Sequence, residues 1–244
     1  MNPYLQKPWL AQYRPGTPSE IVPEFPHALA MFEAAAARAP EQTLIYYFEE
    51  AITTRRIDAL SDAFACALLA RGFQRGDRVA VYLQNVPQFV IALLGTWKAG
   101  GIMVSVNPML RHKEVALILN DSGAKVLVTL ESLFHEVAAE VVAKSAVTEV
   151  FTTSELEFLS GPAPALLKDS RRMACAGTAD LMSLLQEHLG KEPPPVAYAG
   201  GDVALLTYTS GTTGPPKGAM NTHANIVYNS QNYRDWMDLS SRDV

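Results

Sequence analysis

The chain is poor in several things, and each shortage narrows what it can be. Only two cysteines, Cys66 and Cys175, occur in 244 residues. Two cysteines make no disulfide framework, and both are expected to be free thiols in a reducing compartment. There is no basic excess: 20 Lys and Arg stand against 25 Asp and Glu, for a net charge of −5. That argues against nucleic acid as a partner. Long apolar runs are missing too. Runs such as Phe89 to Leu94 fall far short of the ~20 residues of a membrane span. Met1 to Glu20 holds no apolar segment of the length a secretion signal needs. A cytoplasmic location is therefore expected. No Gly-x-Ser-x-Gly elbow, no His/Cys/Asp set at metal-ligand spacing and no solenoid-period repeat is found.

What is present is a globular composition, 48% hydrophobic and 18% charged. Residues 1–26 are rich in proline and aromatics and read as an extended N-terminal arm laid over a surface. A helix is expected over 27–38, then paired strands over 43–50 and 51–55. From residue 57 the pattern becomes regular. Helices over 57–71, 87–98, 111–120 and 132–144 alternate with short apolar strands over 78–84, 102–106, 125–130 and 147–152. Such alternation predicts an α/β fold, a doubly wound, mainly parallel sheet with flanking helices. Residues 154–177 look irregular, a helix is expected over 179–189, and Pro193-Pro194-Pro195 follows. Residues 160–200 read as a surface connection, which puts an α/β subdomain at 27–200 and a new segment at 201–244. In that segment a helix is expected over 223–238.

The richest stretch for chemistry is Leu205-Leu206-Thr207-Tyr208-Thr209-Ser210-Gly211-Thr212-Thr213-Gly214-Pro215-Pro216-Lys217-Gly218. An apolar strand runs into a loop of hydroxyls, glycines and one lysine. Thr209, Ser210, Thr212 and Thr213 can donate to phosphate oxygens. Gly211 and Gly214 allow close backbone approach. Lys217 supplies a mobile point charge. A Walker loop needs Gly-Lys-Ser/Thr at its end. Here two prolines precede the lysine and remove two amide donors, and Gly218 follows it. This is a phosphate loop of another kind, and a flexible Ser/Gly linker would not end in Pro-Pro-Lys-Gly.

Tyr208 to Gly218 resembles the signature loop of the adenylate-forming (AMP-binding) superfamily, over eleven consecutive positions. Trp97-Lys-Ala-Gly-Gly-Ile-Met-Val-Ser-Val-Asn-Pro108 is similar to the family's second core motif. Ile57 to Gly72, followed by Gly76-Asp-Arg-Val-Ala80, is similar to its first. The N-terminal arm Lys7-Pro8-Trp9-Leu10 and the segment Asn85-Val86-Pro87-Gln88-Phe89 resemble bacterial long-chain fatty-acid–CoA ligases.

The resemblance implies ATP-dependent activation of a fatty acid to an acyl-adenylate and then to acyl-CoA. ATP, Mg2+, coenzyme A and a fatty acid are the implied ligands, with room for a peripheral contact at the inner face of the membrane. It implies that Thr209, Ser210, Gly211, Thr212, Thr213 and Gly214 wrap the β- and γ-phosphates and that Lys217 balances their charge. The glycines imply that residues 210–216 are mobile when empty. The family's magnesium acid, ribose aspartate and C-terminal catalytic lysine have no counterpart here, so the chain reads as the first half of a two-domain enzyme, with no catalytic and no metal residue identifiable. An aryl-CoA ligase or fatty-acyl-AMP ligase is the nearest alternative. A non-catalytic nucleotide-binding fragment and a γ-phosphate-transferring kinase are alternatives of other classes. His223 reads as a structural histidine at a helix start, Lys98 as a solvated or snorkelling helix end, and Asp58, Asp62 and Asp77 as caps or solvated charges. Trp97, Gly100 and Asn107-Pro108 read as packing and turn residues.

Overall fold

The computed structural model describes residues 2–209 and 216–240. The chain opens on a short helix α1 (Pro3–Gln6) and a 3-10 turn (Pro8–Gln12). Helix α2 (Ala28–Arg38) is followed by an antiparallel hairpin, β1 (Thr43–Tyr47) and β2 (Glu50–Thr53). Then come α3 (Thr54–Ala70), β3 (Arg78–Tyr82), α4 (Pro87–Lys98), β4 (Ile102–Ser105), α5 (His112–Ser122) and β5 (Val126–Leu130). The next helical stretch has three pieces: α6 (Glu131–Leu133), a π turn (Phe134–Ala138) and α7 (Ala139–Val142). Strands β6 (Glu149–Thr153) and β7 (Ala179–Asp180), helix α8 (Leu181–His188), strands β8 (Val203–Thr209) and β9 (Lys217–Thr222), and helix α9 (His223–Met237) complete the order.

Among the described residues, seven strands form one sheet in the order β7-β6-β5-β3-β4-β8-β9. All neighbours are parallel except β8 and β9. Successive strand residues point to opposite faces. In β3 the run Val79, Ala80, Val81, Tyr82 is fully buried, and in β5 every residue from Val126 to Leu130 is buried. Both faces of the central sheet are therefore covered, as a doubly wound fold requires.

Local chemistry sets the elements that matter for the site. The Thr53 hydroxyl accepts from the Arg56 amide and starts α3. Ile57, Leu60, Phe64 and Leu68, at helical spacing, put one buried face of α3 inward. Pro87 opens α4, where a missing amide hydrogen is no loss. The two helices cross closely at Gly95. A Cβ there would come within 2.8 Å of the Phe64 ring and of the Ser61 carbonyl.

Four parts depart from the sequence expectation. Residues 160–200, expected as a surface connection, add strand β7 to the sheet at 179–180, where the sequence pattern places a helix start, and α8 buries Leu181, Leu184 and Leu185. The arm is partly helical, because Asn2 accepts from the Tyr4 amide at 3.0 Å and opens a turn. It does lie over a surface, that of α9: Tyr13 meets Trp236 edge-on at 5.3 Å, and Glu24 pairs with Arg234. The helix expected over 132–144 follows a helical path with a π turn inside it, where the backbone takes in an extra residue. The stretch after the phosphate loop contains a strand, β9, ahead of its helix. Its sequence, Lys-Gly-Ala-Met-Asn-Thr, has no apolar alternation because β9 is a sheet edge and mostly exposed. Backbone pairing with β8 makes it a strand, not side-chain burial. The strand that carries the loop belongs to the same sheet as β3 to β7.

Candidate functional site

The site is the ribbon β8–β9 and the elements that hold it. The register pairs Leu206 with Met220, Thr207 with Ala219, Tyr208 with Gly218, and Thr209 with Lys217. Directly opposed residues of an antiparallel pair project to the same side. Thr209 and Lys217, the last residue of β8 and the first of β9, therefore share one face at the tip, and both are exposed. Ser210, Gly211, Thr212, Thr213 and Gly214 lie outside the described residues, as does most of the span expected to be mobile. The two described members of the expected phosphate set are thus brought together by register.

At the foot, the ribbon is locked to α4. The Trp97 indole donates to the Ala204 carbonyl at 2.9 Å, and the Tyr198 hydroxyl donates to the Trp97 carbonyl at 2.8 Å. Arg75 pairs with Asp202 at 2.9 Å, donates to the Ala197 carbonyl at 2.7 Å and lies over the Tyr198 ring. Thr222 and Asn225 form a capping box that starts α9. His223 follows directly and is completely buried. Its ring lies 4.1 Å from that of Tyr198 and meets Trp97 and His27 edge-on. Among the described residues neither ring nitrogen has a hydrogen-bond partner. Burial, with His27 nearby, lowers its pKa to about 4, against a smaller opposing pull from Asp202. His223 is thus a neutral, structural histidine at a helix start, and what the sequence could not show is its lack of partners.

The expectation for Lys98 is corrected. Its side chain is 7% exposed and its ammonium sits 2.5 Å from Asp58 and 2.7 Å from Asp62. It also donates to the Asp58 carbonyl. Asp58 and Asp62 are four apart on α3, so one turn brings both carboxylates to one cation. They are a pair that ties α3 to α4, not solvated charges. The Asp62 carboxyl is held above its ordinary range by burial, which outweighs the pull of Lys98. Asp77 is likewise buried; it accepts from the Gln74 amide and pairs with Lys125 at 2.8 Å.

Three acids scattered in sequence also meet. Glu131, Glu157 and Asp180 lie close enough to share a cation. The Arg172 guanidinium takes that place, at 2.8, 2.6 and 2.9 Å. Spacing along the chain gave no sign of this cluster, because each acid comes from a different element. It stands at the β6–β7 edge, across the sheet from the β8–β9 ribbon. The carboxylate that bonds to the ribbon tip, Asp121, accepts from Tyr208. Among the described residues no group of acids close enough to share a cation stands at the ribbon.

Comparison with known proteins shows the family. The profile of the family described as AMP-binding enzyme matches residues 32–244. A long-chain-fatty-acid–CoA ligase of Bacillus subtilis (strain 168) is 36% identical over 95% of the chain. A 3-hydroxybenzoate–CoA/4-hydroxybenzoate–CoA ligase of Thauera aromatica is 29% identical over 83% of it and is itself covered over 36% of its length. The crystal structure of a long-chain-fatty-acid–CoA ligase from Archaeoglobus fulgidus superposes with a TM-score of 0.72 at 27% identity, over 94% of this chain and 43% of that one. The chain spans 43% of the length of the Bacillus relative. With the family profile covering all but the arm and the start of α2, the chain belongs to the AMP-binding enzyme family.

Proposed function

We propose that the ribbon β8–β9 is the triphosphate grip of an AMP-forming acyl-CoA synthetase that acts on a fatty acid. In this reading a carboxylate oxygen attacks the α-phosphorus of ATP and pyrophosphate leaves, giving an acyl-adenylate. The coenzyme A thiol then takes the acyl group and AMP leaves. Carboxylate and triphosphate are both anionic, so catalysis rests on positioning and on neutralising the charge that builds on the leaving pyrophosphate. Thr209, Ser210, Gly211, Thr212, Thr213 and Gly214 supply donors and close backbone approach to the β- and γ-phosphates. Lys217 supplies the counter-charge.

The observation that carries the reading is the Thr209–Lys217 register pair, a hydroxyl and an ammonium on one exposed face at the ribbon tip. The fatty acid is favoured over an aromatic acid because the fatty-acid ligase relative is 36% identical and the hydroxybenzoate ligase 29%. The chain matches less than half of either relative, so the complete reaction is proposed for a full-length ligase that carries these residues. For residues 1–244 alone, weak ATP binding and no adenylation are expected. ATP–pyrophosphate exchange by the full-length ligase, driven by palmitate and not by benzoate, supports the reading. Exchange driven by benzoate would move the substrate to the aryl class, and release of ADP would overturn adenylate formation.

A further inference from the structure

We propose that Tyr208 and Asp121 form a positioning pair that aims the tip of the phosphate ribbon. The inference rests on the ATP reading given above, and it adds a residue, Asp121, that lies 87 positions from Tyr208 in sequence.

The ribbon outruns its sheet. Strand β4 supports β8 only as far as the pair Ser105–Thr207. The next two rungs, Tyr208–Gly218 and Thr209–Lys217, have β8 and β9 alone for backbone partners. On the other side β9 is the sheet edge. A two-stranded ribbon without a third strand is weakly stable by itself. Thr209 and Lys217 are on the last of these overhanging rungs, so their direction depends on what holds the rung below.

The rung below is held from the side. The Tyr208 hydroxyl donates to Asp121 Oδ2 at 2.5 Å, at the C-terminal end of α5. This bond ties the overhanging rungs to α5, and the neighbouring Ser122 side chain also bonds to the Tyr208 hydroxyl. The cross-strand partner is built to let the phenol lie flat. A Cβ at residue 218 would stand 3.1 Å from the Tyr208 Cζ and 3.2 Å from its Oη, so any side chain there would push the ring off its line. The phenol also stays a donor, because burial first and the Asp121 hydrogen bond second raise its pKa above the ordinary value. A tyrosine pinned at its hydroxyl and seated on a glycine fixes the twist of the ribbon one residue before the phosphate hydroxyls begin.

Two measurements test this separately from the ATP reading. The first is hydrogen exchange on residues 1–244. Y208F and D121A should each speed amide exchange at the ribbon tip, residues 208–209 and 217–218, by about five- to tenfold, the worth of one lost hydrogen bond. Exchange in β3 and β5 should be unchanged. D121N, whose carbonyl oxygen still accepts from the phenol, should stay near wild type, and Y208F/D121A should be no worse than either single variant. Unchanged tip exchange in Y208F, or acceleration spread evenly over the sheet, overturns the pair. The second is kinetics on the full-length ligase. Y208F and D121A should raise KM for ATP about five- to tenfold and leave KM for the carboxylic acid unchanged, again with rescue by D121N. Equal rises in both KM values, or none, would make the contact a fold brace and contradict the proposal. A wild-type ligase without adenylation, together with tip exchange as described, would sink the ATP reading and leave the positioning pair standing.

Discussion

Acid should weaken this fold through His223, and the size of the effect can be worked out. The imidazole is fully buried among Tyr198, Trp97 and His27, and both its nitrogens lack hydrogen-bond partners among the described residues. Its pKa falls from 6.5 in the open chain to about 4 in the fold. The unfolded chain therefore binds a proton between those values that the folded chain refuses. Stability from this group is fully present above pH 6.5 and is lost as pH falls towards 4. At 1.36 kcal/mol per pKa unit, the loss is about 3 kcal/mol. The titratable groups facing the ring are His27, which opposes protonation of His223, and Asp202, which favours it and is itself paired with Arg75.

Substituting H223F keeps a ring in the cage and removes the titration. Because no partner is left unsatisfied, the variant should be at least as stable as wild type at pH 7. Urea unfolding at pH 7, 5.5 and 4 gives the test. Carboxylates elsewhere titrate equally in both proteins and cancel in the difference. The stability of H223F relative to wild type should rise by about 3 kcal/mol between pH 7 and pH 4. Parallel pH curves for the two proteins would refute the reasoning.

Three further outcomes are expected. K98M strips the cation from Asp58 and Asp62 and should destabilise by about 2 kcal/mol, less than a wholly buried pair because Asp58 is partly solvated; K98M/D62N should recover part of this in urea unfolding. G95A forces a methyl into the Phe64 ring and the Ser61 carbonyl where α3 crosses α4, and should cost about 2 kcal/mol in thermal unfolding. K217A in the full-length ligase should weaken ATP binding at least tenfold and lose most of its salt dependence, while thermal stability stays within about 0.5 kcal/mol because Lys217 is exposed; isothermal titration at two salt concentrations reads both.

Much of the fold was legible because its signals are local. The helix that runs from Pro87 to Lys98 shows its start in a proline and its end in Gly100-Gly101. Strands β3 and β5 show themselves as short apolar runs, since burial on both faces removes alternation. Strand β9 was not legible, because an exposed edge strand needs only backbone partners. The candidate phosphate loop stands out in sequence through consecutive hydroxyls, glycines and a lysine. The groups that hold it do not. Asp121 reaches Tyr208, and Asp58 with Asp62 reaches Lys98, across contacts that only the folded topology creates. The same is true of Arg172 within Glu131, Glu157 and Asp180. A charged residue read alone in sequence is most simply a solvated one, and that reading fails wherever a second element brings its partner.

The central claim is that the ribbon grips the triphosphate for adenylate formation. Its most direct test is palmitate-dependent exchange of radiolabelled pyrophosphate into ATP by the full-length ligase, compared with its K217A variant. The account predicts exchange that requires the fatty acid, with AMP as the nucleotide product, and a fall of at least tenfold in K217A at subsaturating ATP. Exchange that K217A leaves intact, or turnover that yields ADP and phosphate, would contradict it.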